Sequence, residues 1–502
     1  MCLSLADPHH LIQFRRNSPP RINTISVELL SLVLHFAAGG DKCGTDPLRA
    51  YHRNLRIIRL SAVCSHWRQI AIGDATLWRN ISFSPSLLPT IGCAAVFLQR
   101  SRAASLTLTI WNMDSPENAD AFESQELRDL LDALRRDSGR LTALVAIDPP
   151  DIVIEALNEP ATKLVHLDIQ IAQSRVVPRV FRGEMPHLEY LSISNPEGWR
   201  IQPFENLHTV HIAAPSWRRW RLSTLLDCLD ARVPIKELHL THFEHFEPES
   251  AAESGRTASL SSLNVLRLTF CNSPVILNHL EIPSYITLSI YGHFDQSEDI
   301  FAGLSESRNF LGILKAPQFL TVVFDVEKQV FEVEVMETDG VHVLIGAVSR
   351  EGRFDRKWVL RSMSAVTRFT PLGGVRWLTA VIDEDRMPWV SWLSKFNRLS
   401  TIEARCPDPA ELLNALTTFR SDAGNVICPS LRSLSIERNK RPTVEASLLR
   451  KCLEARASAG STISHLNLND LDWSVIPNAE FGAWEELINR TRLNSGWIQF
   501  RL

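Results

Sequence analysis

From Ser26 to Phe36 the chain reads SVELLSLVLHF, and its polar residues Glu28, Ser31 and His35 fall on one narrow stripe. The other positions after Ser26 (Val27, Leu29, Leu30, Leu32, Val33, Leu34 and Phe36) are apolar. A surface helix ordinarily buries one apolar stripe and exposes the rest. Here the proportions are inverted, so the pattern predicts a helix covered on more than one side. A second helix is expected over LRIIRLSAVCSHWRQIA, where Leu60, Val63, Cys64, Trp67 and Ala71 keep a helical rhythm. Gly73 stops it, and Asp74 can cap a short turn that positions Leu77 and Trp78.

Beyond residue 100 another phrase recurs, apolar-x-x-apolar-x-apolar. It begins at Ser105, Leu141, Leu164, Leu188, Leu207, Ile235 and Leu263, and again at Tyr285, Phe319, Val375, Leu399, Leu431 and Ile463. The intervals run from 19 residues (Leu188 to Leu207) to 36 (Ser105 to Leu141), apart from 56 between Phe319 and Val375. Most sit at or just above the roughly 20–29-residue leucine-rich period. Helix-like pieces lie between the phrases: Leu127, Leu130, Leu131 and Leu134; Leu222, Leu225, Leu226 and Leu229; Leu412, Leu413 and Leu416; Leu448, Leu449, Cys452 and Leu453. Alternating strand and helix at these spacings predicts an α/β fold, an irregular leucine-rich solenoid with parallel strands inside and helices outside. The asparagine ladder of regular repeats is missing. Several separate α/β domains are the alternative, but no Gly/Ser/Pro-rich linker marks a cut.

The 56-residue interval has its own pattern. Phe331, Val333 and Val335 alternate with Glu332, Glu334 and Met336, and Asp339-Gly340 suits a hairpin turn. An antiparallel meander over 319–348 is expected to interrupt or cap the solenoid.

Composition narrows the class. With 45% hydrophobic and 22% charged residues over 502, the chain is ordinary globular protein and needs no disulfides or metals for stability. The formal net charge of −4 hides an asymmetry. Residues 1–100 hold 11 Lys+Arg against 5 Asp+Glu, and the remainder 42 against 52. The start, MCLSLADPHHLIQFRR, is not built as a signal peptide, and no run approaches the ~18 apolar residues of a membrane helix. Nine scattered cysteines without a CxxC read as reduced thiols of the cytoplasm or nucleus.

Catalytic chemistry is hard to find. His242, Glu244, His245 and Glu247 cluster in THFEHFEPE, but the spacing is not HExxH, and a polar loop is the simpler reading. Cys64 and His66 point apart on a helix, so Cys64 is a core thiol and not a nucleophile. Glu332, Glu334 and Glu337 are better explained as water-facing strand residues than as paired catalytic carboxylates. SWRRWR at Ser216–Arg221 offers Trp217 and Trp220 with three arginines. On an acidic body this suits tryptophan anchors or a protein-contact loop better than nucleic acid. No enzyme, cofactor, metal, nucleic-acid or membrane role is expected.

The front segment resembles a known family. A Pro-x-Glu-hydrophobic opening helix, then Val-Cys-x-x-Trp-Arg, then Leu-Trp is the pattern of the F-box, in the F-box-like form common in mushroom-forming fungi. Val63-Cys64, Trp67-Arg68, Ile70-Ala71 and Leu77-Trp78 match it, with Ser26 standing where proline is usual. The resemblance covers residues 19–83, after a tail over 1–18 and before the solenoid over 84–502. It implies a helical module that docks on an acidic Skp-type adaptor and, through it, a cullin of the SCF ubiquitin-ligase type, while the solenoid presents a protein substrate. The implied adaptor-binding residues are Ile25, Leu29, Leu30, Val33, Leu34, Val63, Cys64, Trp67, Arg68, Ile70, Leu77 and Trp78. A leucine-rich scaffold acting outside a ubiquitin ligase is the alternative.

Overall fold

The computed structural model describes residues 25–39, 47–112, 122–171, 180–195, 204–214, 219–229, 234–247, 255–294, 304, 307–315, 317–325, 330–337, 340–349, 362–364, 366–368, 370–383, 387–419, 426–438 and 446–469. The chain forms two compact units, Met1–Pro215 and Ser216–Leu502. No helix among the described residues is long and apolar enough to cross a membrane.

The first unit opens with three helices, α1 (Val27–Ala38), α2 (Pro47–Ser61) and α3 (Ser65–Gly73), and a 3-10 turn over Ala75–Trp78. It continues as β1 (Asn80–Phe83), α4 (Leu88–Ser101), β2 (Leu106–Trp111), α5 (Gln125–Arg136), β3 (Leu141–Ile147), α6 (Asp151–Ala156), β4 (His166–Gln170), β5 (Tyr190–Ser194) and β6 (Thr209–Ala213). The six strands pair in sequence order, all parallel. The predicted second helix is two helices. Cys64 leaves helical geometry and caps α3, its Sγ accepting from the Trp67 N–H at 3.5 Å.

The second unit holds α7 (Leu222–Leu229), β7 (Glu237–Thr241), β8 (Ala258–Ser259), β9 (Val265–Thr269), α8 (Ser273–Asn278), β10 (Leu280–Glu281), β11 (Thr287–Phe294) and α9 (Arg308–Ile313). Then follow β12 (Phe319–Asp325), β13 (Val330–Met336), β14 (His342–Ser349), β15 (Trp377–Ile382), α10 (Trp389–Leu393), β16 (Thr401–Cys406), α11 (Pro409–Thr417), β17 (Ser433–Arg438), α12 (Ala446–Ser458) and β18 (His465–Asn469). Its main sheet runs β7-β9-β11-β14-β13-β12-β15-β16-β17-β18, with β8 and β10 pairing separately.

Every one of the repeated phrases lies on a strand, and the four predicted leucine clusters lie on α5, α7, α11 and α12. The meander sits in line: β13 is antiparallel to both β12 and β14, while β14 is parallel to β11 and β12 to β15. It therefore interrupts the parallel sheet and does not cap it. Gly340, with φ of 86°, supplies the left-handed residue after β13, while Asp339 lies outside the described residues.

β1 to β4 bury consecutive residues on both faces, whereas β5, β6, β7, β9, β12, β13, β15 and β16 bury alternate ones. In β12 and β13, Leu320, Val322, Phe324, Phe331, Val333 and Val335 are in the core, and the opposite face is half-exposed. This is the alternation of a sheet covered on one side.

Candidate functional site: the exposed face of the first helix

The site follows from how α1 is held. The Ser26 hydroxyl caps its start, accepting from the Leu29 N–H at 3.4 Å. Glu28 lies in the first turn, where hydrogen bonds from its own N–H and from Ser26 hold its carboxyl below the usual range. At the other end Gly39, with φ of 106°, donates its N–H to the carbonyls of His35 and Phe36. Leu30, Leu34 and Ala38, at i, i+4 and i+8, are buried against α2 and α3.

The polar stripe of α1 does not face solvent alone. Ser31 donates to Asp74 Oδ2, and His35 Nε2 lies 3.2 Å from the same oxygen and 3.1 Å from Thr76 Oγ1. Asp74 Oδ1 in turn accepts from the Thr76 N–H at 3.0 Å and so caps the 3-10 turn, as the sequence predicts. Burial pushes the Asp74 carboxyl up, but the donors Ser31 and Thr76, with His35 beside them, outweigh burial and hold it below the usual range.

With one stripe buried and another turned to Asp74, the remaining apolar stripe is left outside. Leu29 is 56% exposed, Leu32 52%, Val33 39% and Phe36 75%. These four fall at i, i+3, i+4 and i+7, opposite the buried stripe. Val27 and Leu48 are exposed too, as is Val63 at the turn between α2 and α3. An exposed apolar stripe of this kind is a candidate interaction surface.

The predicted adaptor-binding residues divide in two. Leu29, Val33, Val63 and Arg68 lie on the surface, and Ile25 and Cys64 are half-buried. Leu30, Leu34, Trp67, Ile70, Leu77 and Trp78 are inside the fold, so they form the scaffold of the site and offer a partner no surface. Val27, Leu32, Phe36 and Leu48 are exposed as well and stand outside that set. Leu32 and Phe36 carry a signal in the sequence, since they share one helical stripe with Leu29 and Val33.

The module is continuous with the rest of its unit. Trp78 meets Phe97 of α4 edge-on at 4.9 Å, and the Arg100 guanidinium lies 4.4 Å over its ring. With its amide turned to satisfy both groups, Asn54 of α2 donates to the Asn80 carbonyl and accepts from the Ser82 N–H of β1.

The basic-aromatic segment is divided between core and surface. Trp220 is buried against Phe243, Arg221 pairs with Glu247 at 2.8 Å, and Trp217 lies outside the described residues. No group of three or more His, Cys, Asp or Glu among the described residues is arranged to hold a metal. Burial pushes the Cys228, Cys271 and Cys406 thiols up to about 12, the opposite of an activated nucleophile.

Residues 28–84 match the family model described as F-box-like, a span running from Glu28 in α1 through β1. No curated protein matches the chain.

Proposed function

We propose that this chain is a substrate-receptor subunit of a cullin-type ubiquitin ligase, docking on a Skp-type adaptor through α1 and the turn before α3. One observation carries the reading: in a segment that matches the F-box-like model, Leu29, Leu32, Val33 and Phe36 form an apolar stripe that the chain itself leaves uncovered. F-box-like domains generally bind adaptors of this class, and burying such a stripe is the main favourable term in association. The repeated strand–helix units are then degenerate leucine-rich repeats of the kind found beside F-box-like domains in mushroom-forming fungi. They present a protein substrate in the cytoplasm or nucleus, and ubiquitin transfer belongs to other subunits.

A second reading has its own support. Trp78 and Asn54 join the module to α4 and β1, which suits a scaffold whose F-box-like segment is only the first layer of the fold. Co-expression of the intact chain with a Skp-type adaptor and a cullin separates the two. Recovery of both with the chain supports the receptor, and recovery of neither leaves the scaffold.

A further inference from the structure

On the half-exposed face of the second unit's main sheet, cross-strand register sets side chains in rows. One row carries Arg267 on β9, Glu334 on β13 and Glu403 on β16. The next carries Tyr291, Glu332, Arg405 and Glu437. Four carboxylates thus share these rows with two guanidiniums, and the described residues of the two rows include no lysine. In the flanking row Phe319 and Trp377 are neighbours at 6.1 Å, and Trp377 is 39% exposed.

The acidic end is tightly built. Glu334 Oε1 lies 2.6 Å from His342 Nε2. Tyr291 lies across Gly346, where an added Cβ would come within 2.5 Å of its ring. Burial, and then the Glu332 carboxylate, push the Tyr291 hydroxyl up.

We propose that this face binds an extended, arginine- or lysine-bearing segment of a protein partner, with its cations at Glu332, Glu334 and Glu403 and a neighbouring apolar side chain on Trp377. Charge complementarity selects the occupant, and a half-exposed tryptophan is a favoured hot spot for an apolar side chain. From β13 to β16 is three strand spacings, about 14 Å at ~4.8 Å each. An extended chain covers that in about four residues at ~3.3–3.6 Å per residue. The fitting segment is therefore basic-x-x-x-basic with an apolar residue between. The inference deepens the receptor reading by naming its substrate class, and depends on that reading only for calling the segment a substrate.

The test titrates the intact chain with a labelled synthetic peptide of that pattern containing two arginines and a leucine, and with its glutamate counterpart. Preference for the arginine peptide of about tenfold or more is expected, weakening with salt. Glu332→Lys with Glu334→Lys should abolish or reverse it, and Trp377→Ala should weaken binding of the leucine-containing peptide about tenfold. A control, Glu126→Lys with Asp129→Lys on the exposed face of α5, makes the same change in net charge and should leave the preference intact. Adaptor recovery is read on the same samples. If the control loses as much as the β13 variant, or the wild type binds both peptides alike, the proposal is overturned. Arginine-peptide binding without adaptor recovery keeps this site and removes the receptor reading.

Discussion

The indole N–H of Trp78 donates to the carbonyl oxygen of Ala71 at 2.6 Å, tying the 3-10 turn back onto the last turn of α3. Trp78 is fully buried and also meets Phe97 of α4. Trp78→Ala should therefore cost about 3–5 kcal/mol, as large-to-small aromatic changes in cores do. The loss should appear across the first unit and not in residues 28–84 alone, because the ring is shared. Trp78→Phe keeps most of the packing but leaves the Ala71 carbonyl unpaired, for a loss of about 1–3 kcal/mol. Urea unfolding followed by hydrogen exchange on β1 and α4 measures both. Exchange confined to α1–α3 would contradict the shared core.

The two faces of α1 predict opposite phenotypes. Leu29→Asp with Phe36→Asp changes exposed positions and should shift stability by no more than about 0.5 kcal/mol per site while abolishing adaptor recovery. Leu30→Asp places a carboxylate at a fully buried position and should unfold the module outright. Thermal unfolding and co-purification, run on both variants, separate a lost surface from a lost fold. Adaptor recovery at the wild-type level by the Leu29, Phe36 variant would remove α1 from the interface.

Much of this was legible from local pattern. The later strands announce themselves because Leu191 and Ile193, and their counterparts elsewhere, alternate at the strand period and so fix which face is buried. The face of α1 was harder. Ser31 and His35 read only as a polar stripe, because their partner Asp74 lies 43 and 39 residues away, a distance at which periodicity carries no information. Leu30 and Leu34 could not be told from Leu29 and Val33 by composition, because the apolar stripes on both sides are equally leucine-rich. The break before α3 was hidden for another reason: a thiol, Cys64, does the capping that Ser or Asp would have advertised.

Asp74 makes the hold on α1 sensitive to pH. Its donors keep the folded carboxyl below its unfolded value, so the stabilisation is present above the unfolded pKa and is lost as pH falls through the folded one. The window lies below the ordinary carboxylate value of about 3.9. Acidification through it should loosen α1, seen as faster exchange at Leu30 and Leu34. Asp74→Asn keeps a cap for the 3-10 turn but removes the charge opposite His35. The variant should be weaker near neutrality, and its residual stability should lose this acid dependence. An unchanged acid transition in Asp74→Asn would place the titrating group elsewhere.

Gly346 is set by its neighbour and not by its backbone. Its register partner on β11 is Tyr291, whose ring occupies the space a Cβ would take, at 2.5 Å from two ring carbons. Gly346→Ala must displace that ring, and overpacking of this kind costs about 1–3 kcal/mol. Tyr291→Ala alone loses ring contacts but opens the space. The double variant should then recover most of what Gly346→Ala loses, because alanine suits a strand better than glycine once the ring is gone. The coupling is read as a double-mutant cycle in urea. Tyr291 also stands beside Glu332, so the arginine-peptide titration should weaken in Gly346→Ala and stay weak in the double variant even as stability returns. Additive stabilities in the cycle would mean that the ring moves aside freely and that Gly346 is dispensable.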